Sequence, residues 1–415
     1  MRVLYSILIR FFGRMLPVLG FFSQKLKTFY EGRRSVFETL ERELSTADKI
    51  IWMHAASLGE YEQGVPVMEA LKKQFPEHKI LLTFFSPSGY IQKKNNTLAA
   101  HTVYLPLDTP KNARRFINLI RPEMAFFIKY EFWPNYLHEL RKKSVKTYLI
   151  SGVFRQKQPF FKWYGRWMTE SLRAFDHFFV QDQKSLELVN SLGFNNISLS
   201  GDTRFDRVSK QLEMDNRLEV VEKFKNGKPL LVCGSTWQED EALLLDFINT
   251  DAPGKVKVLL APHQINNQKI DQLMAKIGSK TVKFSQRDDA DLATSDVFIL
   301  DTIGMLGCAY SYADVAYVGG AAGKTGMHNI LEPATFGLPI LTGTNIQKFP
   351  EAEQLRRLAG LFTLENPEES TQMLKKLFDN TDFRKKTGMI CGHFVQSQTG
   401  ATRMIMNYLT EKGKP

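Results

Sequence analysis

Short apolar runs recur along the whole chain, with helical periodicity between them. In the first half they are IIWMHA, ILLTFF, TVYLPL, MAFFIKY, TYLISG and HFFVQD, and in the second PLLVCGS, VKVLLAP, DVFILD, ADVAYVGG and LPILTG. Runs this short and this continuously apolar fit strands buried on both faces, which means parallel sheets covered by helices. The polar stretch Arg207 to Lys228 divides the two sets. The chain of 415 residues is therefore expected to form an α/β protein with two Rossmann-like domains, residues 31–206 and 229–415, joined by a linker at 207–228.

Nearly every run ends in polar or glycine-rich sequence, as in HAASLGE, TFFSPSG, KYEFWP, SGDTRFD, CGSTWQED, APHQ, LDTIG and VGGAAGKTGMHN. Open parallel sheets bind ligands outside the carboxyl ends of their strands. Two such sheets facing a central cleft would point all these loops into it, and function is expected there.

Residues 1–30 are strongly apolar but interrupted by Arg10 and Arg14. A spanning helix wants about 20 apolar residues with few charges, and no small-residue cleavage site follows. The segment reads as a basic amphipathic, membrane-associated helix in the cytoplasmic leaflet, with packing on the protein's own core as the alternative. A polar connecting helix is expected over 31–48. The net charge of +11 is spread along the chain without dense Lys/Arg blocks. Such a field suits a membrane surface, an acidic substrate or nucleic acid about equally. Three scattered cysteines, Cys233, Cys308 and Cys391, make neither a disulfide framework nor a metal site and fit a reducing compartment. No HExxH, CxxC or clustered-His pattern occurs, so no metal is expected.

The chemistry is placed first in IWMHAASLGEYEQGVPVMEALKKQF, read as strand, tight turn and helix with Glu60 at the helix start. The helix dipole would hold its carboxylate ionised, a suitable state for a general base, although Glu in a first turn also simply stabilises helices. Glu131, in KYEFWPN, follows a buried strand and precedes aromatic residues; altered acidity and a capping role stay open. Arg204, between Asp202 and Asp206, either neutralises an anion or pairs with those aspartates. His263 either contacts a nucleotide or caps a loop. In VGGAAGKTGMHNILEPATFGLPILTG, glycines 319, 320, 323 and 326 permit close backbone approach, and a helix from Asn329 offers N–H groups to a phosphate. Glu332, one turn inside it, is placed to accept from a ribose diol. This run reads as a nucleotide site.

Taken together, HAASLGE, LTFFSPSG, EFWPN, GDTRFD, LDTIGML, VGG and HNILEP resemble the 3-deoxy-D-manno-octulosonic acid (Kdo) transferases of lipopolysaccharide assembly, over nearly the whole chain. The resemblance implies the GT-B fold, no metal, no cofactor beyond the donor CMP-Kdo, and a lipid A precursor as acceptor. It implies a place at the cytoplasmic face of the inner membrane, with anionic lipids as partners and no nucleic acid. It gives Glu60 the role of general base and Glu131 and Arg204 roles in transition-state stabilisation. Pro262, His263, Gly304, Met305, Leu306, Asn329, Ile330, Leu331 and Glu332 fall in its CMP-binding segments, beside the Gly319-Gly320 turn.

Two positions depart from the family pattern. Arg204 stands where Lys is common, and Ala261-Pro262-His263 stands where Pro-Arg-His is common, so Gln264, Lys324 or backbone groups would have to replace the arginine. The expected reaction is a single inverting displacement on Kdo. The rival readings are a GT-B enzyme using a UDP-sugar and a non-catalytic basic protein that binds membranes.

Overall fold

The computed structural model describes residues 1–412. The described chain forms two compact units, residues 1–207 with 399–412 and residues 208–398. Each is built on one parallel sheet of seven strands.

In the first unit the strands are β1 (Lys49–Ala55), β2 (His78–Phe84), β3 (His101–Tyr104), β4 (Pro122–Ile128), β5 (Lys146–Gly152), β6 (His177–Val180) and β7 (Ile197–Leu199), in the order β3-β2-β1-β4-β5-β6-β7. Alternate residues feed two different cores, as the period of a strand requires. Trp52, Ala125 and Phe127 join Phe116 and Tyr136 on one face. Ile51, Met53, Met124 and Phe126 join Tyr61, Val67 and Tyr148 on the other. The runs look continuous in sequence because helices bury both faces.

The second unit holds β8 (Leu230–Thr236), β9 (Lys257–Pro262), β10 (Thr281–Lys283), β11 (Val297–Ile299), β12 (Val315–Val318), β13 (Ile340–Thr342) and β14 (Leu361–Thr363), in the order β10-β11-β9-β8-β12-β13-β14. Leu231, Cys233, Val258 and Tyr317 face one core. Leu230, Val232, Leu259 and Ala316 face the other. All three cysteines are free.

Strands β7, β10 and β14 were not expected from the sequence. Each is three residues long and lies at a sheet edge. An edge strand pairs on one side only, so it needs neither a long nor a strongly apolar run.

The boundaries also differ from the expected ones. The division falls inside the helix Thr203–Ser209, and the stretch expected as a linker carries a 3-10 turn at Lys210–Glu213 and the helix Glu219–Lys225. Residues 399–412, expected in the second domain, pack on the first. There Ile405 and Leu409 complete the core behind β4 and β5, and the Tyr408 ring packs against that of His177, tilted by 33° with centroids 4.1 Å apart. Asp206 receives the Gly400 and Thr402 N–H groups, both at 2.6 Å, where the helix Ala401–Lys412 begins.

At the other end, the helix Arg2–Phe22 is followed, after a break at Ser23, by Gln24–Arg34 and Val36–Glu43, so the expected connecting element is two helices. The first is long and apolar enough, by length and composition, to cross a membrane. It rests on the first unit through polar contacts: Tyr5 donates to Asp108 at 2.9 Å, and Ser6 pairs with Asn135. Most of its apolar side chains, among them Leu8, Phe11, Phe21 and Phe22, stay exposed.

Candidate functional site

The first sheet reverses its strand order between β1 and β4, and the second between β8 and β12. A crevice opens at the carboxyl end of a sheet at such a point. Glu60 follows β1 and Glu131 follows β4, so both stand at the switch point of the first sheet.

Glu60 is the third residue of the helix Leu58–Gln74, whose N-cap is Ser57. Its Oε2 accepts the Ser57 backbone N–H at 2.7 Å and the Ser57 hydroxyl at 2.8 Å. The S-x-x-E spacing of a capping box produces this geometry, because the N3 side chain can fold back onto the cap. Among the described residues nothing donates to Oε1. Glu60 is only 4% exposed. Burial pushes its pKa up; the Ser57 hydrogen bonds oppose that, and the Glu131 carboxylate adds to it. Desolvation therefore outweighs the ionising effects expected from the helix terminus, and a carboxylate more basic than usual results.

Glu131 has the same half-held arrangement. Its Oε2 accepts the Trp133 indole N–H at 3.0 Å and lies 3.4 Å from His54 Nε2. That indole nitrogen is also 3.1 Å from His54 Nε2. His54 is fully buried at the end of β1, with Nδ1 2.8 Å from the Thr83 hydroxyl of β2. Just before Glu131, Lys129 takes a left-handed conformation at φ 68°, held through its N–H to Ile150 and its carbonyl from Val153. Such a conformation costs a non-glycine residue about 1–3 kcal/mol, and here it turns the chain sharply out of the strand.

Arg204 pairs with Asp202, its Nε donating to Oδ2 at 2.8 Å; Asp206 instead caps the C-terminal helix. Asp202 also receives Gln63 Nε2 at 3.0 Å, and the Thr203 hydroxyl donates to the Gln63 carbonyl at 2.6 Å. Gln63 lies one turn after Glu60. The GDTRFD loop and the Glu60 helix are thus tied together, and the first unit gathers Glu60, Glu131 and Arg204 at one end of its sheet.

In the second unit, His263 follows β9 and sits in a stack of three rings. Trp237 lies 4.7 Å away at 25°, and His328 lies 4.4 Å away at 30°. The Trp237 indole donates to His328 Nε2 at 3.2 Å. Burial lowers the His263 pKa, and burial together with neighbouring His263 lowers that of His328 to about 4. The indole N–H on Nε2 of His328 requires that nitrogen to carry no proton.

The turn after β12 differs from expectation. Gly320 N–H and Ala322 N–H donate to the buried carboxylate of Asp240, at 2.8 and 3.3 Å, and Gly319 N–H donates to the Gly234 carbonyl. These N–H groups are therefore not free for a phosphate. Asp240 also takes the Trp237 N–H at 2.9 Å and the Tyr317 hydroxyl at 2.9 Å. The glycines serve that close approach: a Cβ on Gly319 would lie 2.4 Å from the Ser235 carbonyl, and one on Gly320 2.1 Å from that of Gly326.

The expected helix at Asn329 starts later, spans Leu331–Thr335, and finds its first turn occupied. Asn329 Oδ1 accepts the Leu331 N–H at 3.1 Å, and Asn329 Nδ2 donates to Glu332 at 3.0 Å. Ile330 and Leu331 are core residues. Gly304, at φ 95°, precedes Met305, the cap of the short helix Leu306–Ala309. Pro262 ends β9. Gln264 accepts from Lys269 at 2.8 Å. Lys324 is exposed and makes no ion pair among the described residues.

The ends of β8, β9 and β12 thus converge through Trp237, His263, His328 and the Asp240-braced turn. His54, Thr83, Asp240 and His328 were not singled out in the sequence. The only signals were their places inside HAASLGE, LTFF, STWQED and GMHN, and what they do depends on pairing across strands.

Residues 29–207 match the family described as 3-deoxy-D-manno-octulosonic-acid transferase (kdotransferase). The chain is 28% identical to the 3-deoxy-D-manno-octulosonic acid transferase of Rickettsia bellii, covering 81% of each chain. It is 25% identical to that of Haemophilus influenzae, covering 86% of each. Among solved structures it is similar to the UDP-GlcNAc 2-epimerase of Neisseria meningitidis bound to UDP-GlcNAc, with a TM-score of 0.60 over 88% of this chain and 100% of that one. At 12% identity that likeness is one of fold alone. The chain is thus similar to the 3-deoxy-D-manno-octulosonic-acid transferases, by the family match over residues 29–207 and by these relatives, and its two seven-stranded parallel sheets give it the GT-B fold.

Proposed function

We propose that the protein transfers Kdo from CMP-Kdo to a hydroxyl of a lipid A precursor, with Glu60 as general base. The observation that carries this reading is the state of Glu60: a buried carboxylate of raised pKa, fixed through one oxygen by Ser57, at the switch point of its sheet. A raised pKa brings a carboxylate's basicity closer to that of the alcohol it must deprotonate. The acceptor oxygen attacks the anomeric carbon as its proton passes to Glu60; the bond to the phosphate oxygen breaks, and CMP leaves with inversion.

Glu131 and Arg204 act on the charge that develops, Arg204 in an orientation set by Asp202. The cytidine monophosphate is assigned to the second unit, at Pro262-His263, Gly304-Met305-Leu306, Gly319-Gly320 and Asn329 to Glu332. Because Asp240 takes the Gly320 and Ala322 N–H groups, Lys324 is our candidate for the phosphate role of the missing arginine. The reaction is assigned no metal. The exposed apolar face of the helix Arg2–Phe22 is assigned to the inner membrane, at its cytoplasmic surface, where anionic lipids complement the protein's net charge of +11.

A donor panel tests the reading. Purified protein is given a tetraacylated disaccharide precursor with CMP-Kdo or with UDP-sugars, and products are weighed by mass spectrometry. Addition of Kdo from CMP-Kdo is expected. Transfer from a UDP-sugar alone, or salt-sensitive membrane binding with no turnover, would overturn it.

A further inference from the structure

The second unit carries an open apolar cleft for which the reaction above has no use. It lies between the helix Thr381–Ser397 and the end of the helix Pro350–Arg357, and its volume is about 820 Å3. One wall is formed by Lys386, Met389, Ile390 and His393, whose three- and four-residue spacing puts them on one face of their helix. Arg357 and Leu358 form the other wall.

The helix does not need this face in order to pack. Thr387, Cys391 and Val395 bury its opposite side, where Cys391 Sγ lies 3.1 Å from the Gly360 carbonyl. Met389 and Leu358 nevertheless stay 72% and 53% exposed. Directly after Leu358, Ala359 is held at φ 60°, a left-handed conformation that residues with a Cβ rarely adopt. An exposed apolar patch with a polar rim marks a contact surface.

The charges around the cleft point to what it contacts. Arg357 and Lys386 line it, and no Asp or Glu does. Among the described residues neither cation makes an ion pair, whereas the neighbouring Arg356 is paired with Glu353 at 3.3 Å. An apolar floor beneath two unpaired cations complements a molecule that offers hydrocarbon and an anion together. A second copy of this chain, with a net charge of +11, offers no such match. Basic surfaces that also expose apolar side chains gain both from burial of those side chains and from attraction to anionic lipid.

We propose that this cleft is a second membrane contact: Leu358, Met389 and Ile390 meet the acyl region of an anionic phospholipid, and Arg357 and Lys386 meet its phosphate. This rests on the reading of the protein as one that works at a membrane. It gives the second unit its own hold on the lipid surface, separate from that of the helix Arg2–Phe22.

Two measurements on the full chain test the proposal. Met389→Cys, in a Cys308→Ser background that leaves only the two buried cysteines, is labelled with an environment-sensitive fluorophore. Vesicles of phosphatidylglycerol and phosphatidylcholine should raise its emission, and spin-labelled acyl chains should quench it. Vesicles of phosphatidylcholine alone should do neither. In unlabelled protein, Arg357→Gln with Lys386→Gln should weaken binding to the anionic vesicles about 10- to 30-fold, the worth of two cations near such a surface, and leave binding to phosphatidylcholine unchanged.

Unchanged emission and unchanged affinity in a protein that still floats with the anionic vesicles overturn the proposal and spare the membrane reading. Self-association that Met389→Asp abolishes, with vesicle binding intact, gives the cleft to a second copy and also overturns it. A protein that does not float with any vesicle overturns the membrane reading, and the proposal with it.

Discussion

Ser57 gives both its backbone N–H and its hydroxyl to one oxygen of Glu60, at 2.7 and 2.8 Å. The pair closes the first turn of a helix and also sets the acidity of the group assigned as base. Burial raises the Glu60 pKa, and the two Ser57 bonds hold it down. Ser57→Ala removes the hydroxyl and keeps the N–H, so the Glu60 pKa should rise further. The acid limb of the kcat profile, where Glu60 becomes protonated and inactive, should then move to higher pH. A profile measured from pH 5 to 9 in both proteins checks this.

The Asp240 carboxylate accepts four hydrogen bonds, two of them from the glycine turn of the second unit. Asp240→Asn turns half of that acceptor into a donor facing other donors. A loss of about 2–4 kcal/mol in the second unit's stability is expected, from buried donors left unpaired. Gly319→Ala should also destabilise it, since its Cβ would meet backbone at 2.4 Å. Urea titrations of the two variants measure both effects, and weaker CMP binding should accompany them.

The ring stack predicts a pH window. His328 has a folded-state pKa of about 4, below its ordinary 6.5. Between those values the unfolded chain binds more protons than the folded one, so stability rises with pH. The contribution is fully present above about 6.5 and lost as pH falls toward about 4. His328→Gln should flatten that part of the stability curve, as thermal melts at stepped pH would show.

Removing apolar volume from the C-terminal helix tests where it belongs. Ile405→Ala should cost about 2–5 kcal/mol, the usual loss for a fully buried aliphatic side chain. The loss should fall on the first unit, whose core Ile405 completes. Hydrogen exchange resolved along the chain would show protection falling in β4 and β5 and unchanged in β8 and β9.

Much of this was legible in the sequence for a physical reason. Strands buried on both faces must be apolar at every position, so β1, β4, β8 and β12 stand out as runs. The half-paired edge strands β7, β10 and β14 do not. The place of Glu60 at a helix start was legible because strand, turn and helix follow one another locally; its capping by Ser57 was not read. Arg204 was found, but its partner was not: Asp202 and Asp206 flank it equally, and only the C-terminal helix, nearly two hundred residues on, claims Asp206. The glycines after β12 were correctly read as marking a close backbone approach. What approaches is Asp240, from the neighbouring βα unit, and no local pattern reveals that. His54 stayed unnoticed because its partners come from β2 and from the turn after β4.

The account stands on Glu60 as the group that takes the acceptor's proton. The most direct measurement is the rate of Kdo transfer from CMP-Kdo by Glu60→Gln beside its affinity for CMP. Transfer should fall about 100- to 10,000-fold with CMP affinity unchanged, the usual worth of a general base. Transfer near the unmodified rate would contradict the account.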